Sequence, residues 1–239
     1  MNIATILSTF TPGEAERITN VSTAQQRDWR RRAILPSNEG HARFDAFAVA
    51  EMWTLKLLSD RGIGPQQAKE VASWCAIGIV WHALQWQEAY EGDHLRAYEW
   101  APQLYEKIVT QRQEIEELIK EREVKGELDP AEFLAKMREL DTGHGWGFQA
   151  GYLQRQTITQ AGKGRVIPTR FFIWWADGSH IWHSSVDAAC NDGVSNDARF
   201  SGPIIVLDLN ALGSTLIERA ERPLVHVELI KGAADKGAP

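Results

Sequence analysis

The stretch Val21-Ser22-Thr23-Ala24-Gln25-Gln26-Arg27-Asp28-Trp29-Arg30-Arg31-Arg32 decides how the first third of the chain folds. Ser22 is a helix N-cap by type, because its hydroxyl can accept from a free amide in the first turn. Ahead of it, Pro12-Gly13-Glu14-Ala15-Glu16-Arg17-Ile18 has a short helical pattern, with Thr11 as cap and Pro12 at the first helical position. Thr19-Asn20 breaks that pattern. Two short helices joined by a tight turn, the second rich in Arg and amide side chains, describe a helix-turn-helix whose second helix enters a major groove. Arg and Gln suit that place, since both can engage base edges with two hydrogen bonds. The candidate contacts on this helix are Thr23, Gln25, Gln26, Arg27, Arg30 and Arg31.

Working outward, Pro36 stops the second helix and Ser37-Asn38-Glu39-Gly40 is a turn cluster. His41-Ala42-Arg43-Phe44 follows as a short strand-like piece, so residues 34–44 read as a hairpin wing. Arg43 on such a wing would sit over a DNA phosphate, and His41, a candidate contact beside it, suits the wing surface better than a phosphate. An Arg-rich helix taken alone is more commonly a solvated face. The helix-turn-helix with a wing turns that reading toward DNA, while Trp29 suits the core or wing packing better than a base contact.

The ordered set Val21-Ser22, Arg27, Trp29, Arg31, Ile34-Leu35-Pro36, Gly40, Arg43-Phe44 and Arg61-Gly62-Ile63 resembles the winged-helix DNA-binding domain of the MerR family. The likeness spans residues 11–75. In that family a Val-Ser turn precedes a helix carrying Arg, an aromatic and a second Arg, followed by aliphatics, a wing and a helix pair hinged at Gly-aliphatic. The chain departs from the pattern at named places. Ala33 stands where the family usually has Gly, Gln25-Gln26 replace Thr-Leu, Asp28 replaces a tyrosine, and Ala42 replaces the first wing Arg. Arg30 and Arg32 are the nearby cations that compensate. The resemblance implies double-stranded DNA as partner, a homodimer, and RNA polymerase as the machinery addressed.

Charge agrees with targeted binding. The net charge is −6, which argues against indiscriminate coating of nucleic acid. Residues 1–75 nevertheless carry +1 and residues 22–43 hold five basic against two acidic side chains. A small basic patch on an acidic molecule suits recognition in which base contacts add to a modest phosphate attraction. Cys75 and Cys190 form neither a disulfide framework nor a metal pair. The start of the chain lacks the marks of a signal peptide and no run approaches a membrane span. A cytoplasmic, nucleoid-associated protein without cofactor or metal is expected.

The expected organisation is α+β. Residues 1–84 form the winged-helix domain, with 1–10 packing against it, Asp45 capping one helix and Gly64-Pro65 opening the next. Residues 85–141 form a helical connector for dimerisation. Within it, residues 94–125 make one long helix, interrupted near Pro102, whose Leu104, Ile108, Gln111, Ile115 and Leu118 fit a seam between two copies or within one chain. Asp129-Pro130 starts a further helix. Residues 142–165 read as a Gly-rich linker, 166–231 as a small α+β unit, and 232–239 as a disordered tail.

In the C-terminal unit, residues 170–175 and 180–186 alternate as strands around Ala176-Asp177-Gly178-Ser179, a hairpin signal. Residues 203–209 read as a central strand, 210–221 as a helix packed over it, and 224–229 as a closing strand. An aromatic cavity at Phe172, Trp174 and Trp182 would take a flat or cationic ligand. The same rings suit a core or an oligomer interface. His180 and His183 point to opposite faces of one strand, a poor metal pair, and Cys190 has no motif of a nucleophile. No catalytic residue is assigned. The expected function is DNA-binding transcriptional regulation, with an excisionase-like architectural role as the alternative and an enzyme on the C-terminal unit third.

Overall fold

Thr11 starts the first helix through a reciprocal pair of contacts. Its hydroxyl accepts from the Glu14 amide at 3.2 Å, while the Glu14 carboxylate accepts from the Thr11 amide at 2.6 Å. Such a capping box satisfies two amides that the helix leaves open. In the computed structural model, which describes residues 2–36, 42–125, 146–164, 166–191 and 197–230, helix α1 is Pro12–Thr19. Strand β1, Asn2–Leu7, precedes it. Asn20 ends α1 in the left-handed region at φ 58°, its amide donating to the Glu16 carbonyl at 2.8 Å. Ser22 then caps α2, Thr23–Arg31.

Helix α2 ends in a Schellman motif. The Ile34 amide donates to the Trp29 carbonyl at 2.8 Å and the Ala33 amide to the Arg30 carbonyl at 3.0 Å. This places Ala33 at φ 53°, where the family's usual Gly would be unstrained. Ile34 and Trp29, the apolar pair that accompanies such a motif, are both buried. The sequence departure is thus accommodated without changing the turn.

Residues 37–41, the expected turn of the wing together with His41, lie outside the described residues. Of the expected return strand, Phe44 forms an isolated antiparallel bridge with Phe10, with hydrogen bonds of 2.7 and 3.0 Å. Residues 34–36 form no strand.

Helix α3, Ala46–Ser59, is capped by Asp45 and is apolar on most of its circumference. It therefore lies inside the molecule, against α4, Pro65–Ala83. Then come β2, Tyr90–Gly92, the short α5, Ala97–Trp100, and the long α6, Pro102–Lys125. The expected break in the long helix falls at Ala101-Pro102. The helix expected from Asp129-Pro130 lies outside the described residues, as does the tail.

Three sequence expectations are corrected further on. Residues 142–165, read as a linker from their glycines, contain helix α7, Trp146–Gln160. Its Leu153 and Ile158 are buried in the main core, which outweighs the entropic cost of Gly147 and Gly151. Strand β5, Ile205–Asp208, is an edge strand, not the central one. The order is β4-β3-β5, with β3 at Phe171–Trp174 and β4 at His180–His183, and Val206 is exposed. Helix α9, Leu209–Ala220, packs on α4 instead of covering β5 as a sheet layer. Between β4 and β5 lies the short α8, Val186–Asn191.

Close approach of α9 to α4 depends above all on Gly213, which faces backbone, while Gly78 faces the end of the Leu209 side chain. A Cβ on Gly213 would meet the Ala83 amide nitrogen at 2.7 Å, and one on Gly78 would meet Leu209 Cδ1 at 2.5 Å. The chain then closes with β6, Val225–Ile230, which pairs antiparallel with β1 and parallel with β2. Of residues 1–10, expected as an apolar packing segment, Asn2–Leu7 thus form an edge strand. Gln160 of α7 covers part of that edge, its side chain accepting from the Thr5 amide at 2.7 Å and donating to the Ile3 carbonyl at 3.0 Å. One apolar cluster runs from Ile3 through α3 and α4 to Leu224 and Val227, so residues from both ends of the chain share a core.

Candidate nucleic-acid interface

The angle between α1 and α2 is fixed by Gln26. Its side chain is fully buried, and Nε2 donates to the carbonyls of Pro12 at 2.9 Å and Val21 at 2.8 Å. Where the family keeps a leucine, this chain spends an amide on the turn itself. Gln26, expected among the contacts to DNA, is therefore a structural residue. Its polarity does not require exposure, because a buried amide can satisfy backbone carbonyls that would otherwise lack a donor. Thr19 supports the same turn, donating from Oγ1 to the Ala15 carbonyl and accepting from the Val21 amide.

With Gln26 and Trp29 facing inward, Arg27 and Arg31 lie on the outward face, four residues apart, and both are exposed. Thr23 is half-buried at the first turn, its amide donating to Glu16 Oε2 at 3.2 Å. Gln25 is half-buried on the flank. Arg30 turns back toward the body, its guanidinium over the Phe44 ring at 5.8 Å. Arg43 is exposed at the start of the segment leading to α3, and its charge helps to stabilise the Glu14 carboxylate. The larger causes of that stabilisation are the hydrogen bonds from Thr11, which hold Glu14 below the usual carboxylate range.

Asp28 shapes the electrostatics of this face. Its carboxylate contacts Arg31 Nη2 at 2.5 Å and Arg32 Nη1 at 3.6 Å, so one acid faces two cations at the end of α2. A second contribution came from outside the sequence motif. Lys69 of α4 donates to the Ala33 carbonyl at 2.6 Å and sets a cation at the end of α2. Nothing in the spacing of α4 marks Lys69. Its place follows from the packing of α3 on α4.

The aromatic candidates of the C-terminal sheet have a different fate. Phe172 is fully buried and Trp174 is 7 % exposed, both in the main core, while Ile173 and Trp175 on the other face join Ala189 in a small second cluster. The face of Phe172 and Trp174 is covered by the main core, whereas the other face is covered only in part, since Ile181 and Val206 beside Ile173 are exposed. Trp182 is half-buried between Phe172 at 5.2 Å and His180 at 5.7 Å. Of the readings open at the sequence level, the structure gives Phe172 and Trp174 to the core. Cys75 is buried nearby, and burial pushes its thiol up to about 12, which keeps it protonated. No group of three or more metal-ligating side chains occurs among the described residues. Among them no helix is long and apolar enough to cross a membrane.

A capped helix, an amide-locked turn and a second helix with arginines outward define the helix-turn-helix class of DNA-binding domain. Residues 10–73 match the family described as MerR HTH family regulatory protein, so the N-terminal part of the chain is a MerR-family DNA-binding domain. No curated protein and no solved structure matches the chain.

Proposed function

We propose that the chain is a site-specific regulator of transcription that binds double-stranded DNA as a homodimer. The observation that carries this reading is the pair Arg27 and Arg31 on the outward face of α2, in a domain whose family is regulatory. In a major groove these side chains meet guanine edges, and Thr23, Gln25, Arg30 and Arg43, with His41 on the wing, lie toward flanking bases and phosphates. Helix α6 serves as the dimer helix, consistent with its sequence seam. The α+β region after it serves sensing or assembly and has no catalytic role. The protein works in the cytoplasm at the nucleoid, beside RNA polymerase.

Footprinting of genomic fragments selected by the full-length protein tests the reading. One palindromic site overlapping a promoter is the expected result. Repeated direct sites would transfer the protein to the architectural class, and no protected site would refute DNA recognition. Sedimentation addresses the dimer. Ile108→Asp and Ile115→Asp should yield monomers from a dimeric protein, because an unpaired carboxylate is costly in an apolar seam.

A further inference from the structure

We propose that the cleft between the last turns of α4 and α7 binds a small aromatic carboxylate. It has a volume of about 380 Å³ and its described lining is Trp81, Arg155, Ile158, Thr159, Gly164 and Ile167. That volume is at the lower end of the range of roughly 300–1,000 Å³ for small-molecule sites. This site is separate from the DNA-facing side chains and does not depend on the reading of their function.

The chemistry of the lining selects the ligand. Arg155, Ile158 and Thr159 are spaced i, i+3, i+4 on α7, so one helix face supplies a cation, an aliphatic wall and a hydroxyl. Trp81 supplies an indole from the facing helix, and Ile167 adds a second aliphatic group. The two helices are held at a fixed angle, because Gln154 of α7 donates to the Trp81 carbonyl at 2.7 Å. A preformed cleft of this kind loses little on binding through ordering.

Two features point to an anion. No carboxylate is among the described lining residues, and among the described residues the Arg155 guanidinium makes no hydrogen bond or ion pair. An arginine beside an indole and two isoleucines offers a planar, bidentate partner for a carboxylate, while the apolar walls take a flat ring. Gly164 sits at φ 84° on the rim, and a Cβ there would meet nothing within 4 Å, so the mouth is open. A ligand seated here would touch α4 and α7 together. The turn after α7 places Lys163 over the Phe47 ring of α3 at 5.1 Å. Occupancy would therefore act on the same helices that support the helix-turn-helix.

The test uses the full-length protein, calorimetric titration, and 1-naphthoate as probe, with 1-naphthalenemethanol and 1-naphthylmethylammonium as neutral and cationic counterparts. The expected result is saturable binding of 1-naphthoate with Kd below about 1 mM, weakened about tenfold in Arg155→Gln. The neutral probe should bind more weakly, and equally to both proteins. The Trp81 indole N–H resonance, assigned with Trp81→Phe, should shift with 1-naphthoate. Arg155 is exposed, and circular dichroism would establish that Arg155→Gln keeps its fold. Thr159→Val gives an independent check at the hydroxyl. Absence of saturable binding, tighter binding of the cation, an unmoved Trp81 resonance, or equal binding by Arg155→Gln would each overturn the proposal.

Discussion

Arg17 of α1 donates from Nη1 to the Arg219 carbonyl of α9 at 2.7 Å, joining residues 202 positions apart. The contact is returned, since Arg219 Nη1 donates to the Ile18 carbonyl at 2.8 Å. Each arginine thus satisfies a carbonyl at the C-terminal end of the other's helix, where a cation is also favoured by the helix dipole. Arg219 lies in addition over the Trp53 ring at 4.9 Å. The first helix of the DNA-binding domain is consequently clamped to the C-terminal part of the chain. Arg219→Ala should lower stability by roughly 1–3 kcal/mol through the lost charged hydrogen bond and ring contact. Urea denaturation measures this, and an unchanged midpoint would show that the clamp is not stabilising.

Ala33 occupies a left-handed position that costs an L-residue about 1–2 kcal/mol. Ala33→Gly should relieve that strain and retain both hydrogen bonds of the Schellman motif. Part of the gain is offset by the greater freedom of Gly in the unfolded chain, leaving roughly 0.5–1 kcal/mol. The expected outcome is a higher thermal midpoint with unaltered DNA affinity. A lower midpoint would mean that the alanine methyl contributes packing that outweighs the strain.

If the outward face of α2 meets DNA as proposed, Asp28 competes with it for Arg31 and Arg32. Asp28→Asn removes a negative charge from the outward face and frees both guanidinium groups, so DNA should bind more tightly. An exposed ion pair contributes only about 0–1 kcal/mol, so the change in stability should be small. The gain in affinity should shrink as salt increases, because the attraction removed or restored is screened. Weaker binding by Asp28→Asn would show that the acid orients Arg31 for its contact.

Glu14 and Glu51 make opposed contributions to the pH dependence of stability. Glu14 is lowered in the folded protein, first by the Thr11 amide, so its stabilisation is present above its ordinary value of 4.5 and is lost as pH falls through the folded value. Glu51 is raised, mainly by burial and against the attraction of Lys163 and Lys69. Above 4.5 and up to its raised value, the folded state binds the extra proton, so this group's contribution grows as pH falls through that window. Glu51→Gln should increase stability at pH 7 and abolish that rise. Chemical denaturation across pH checks both signs, and a destabilised Glu51→Gln would show that the lysine pairing outweighs burial.

Capping and turn chemistry made the N-terminal domain legible from sequence. Thr11, Ser22 and Asp45 each start a helix for a local reason, and local reasons survive whatever the rest of the chain does. Arg27 and Arg31 were legible as candidates from residue type and motif, while their outward placement is set by the burial of Gln26 and Trp29. The inward place of Gln26 was not legible, since an amide is equally at home on a base edge and against two backbone carbonyls. The two-faced hairpin at Phe171–Trp174 was readable from alternation, but its central position in the sheet was not. Sheet order is set by long-range pairing, as is the union of β1 with β6 across almost the whole chain. Helix α7 was hidden because Gly147 and Gly151 lower helix propensity locally, whereas burial of Leu153 and Ile158 is a tertiary effect.

The central claim is that the outward face of α2 reads DNA. Its most direct test is the affinity of Arg27→Ala and Arg31→Ala, alongside the unaltered protein, for a footprinted site and for an unrelated duplex at one fixed salt concentration. The expected result is a loss of roughly 1–3 kcal/mol on the footprinted site for each variant, a weakening of about 5- to 150-fold, with a much smaller change on the unrelated duplex. Equal affinities for the footprinted site across all three proteins, with folding intact by circular dichroism, would contradict the account.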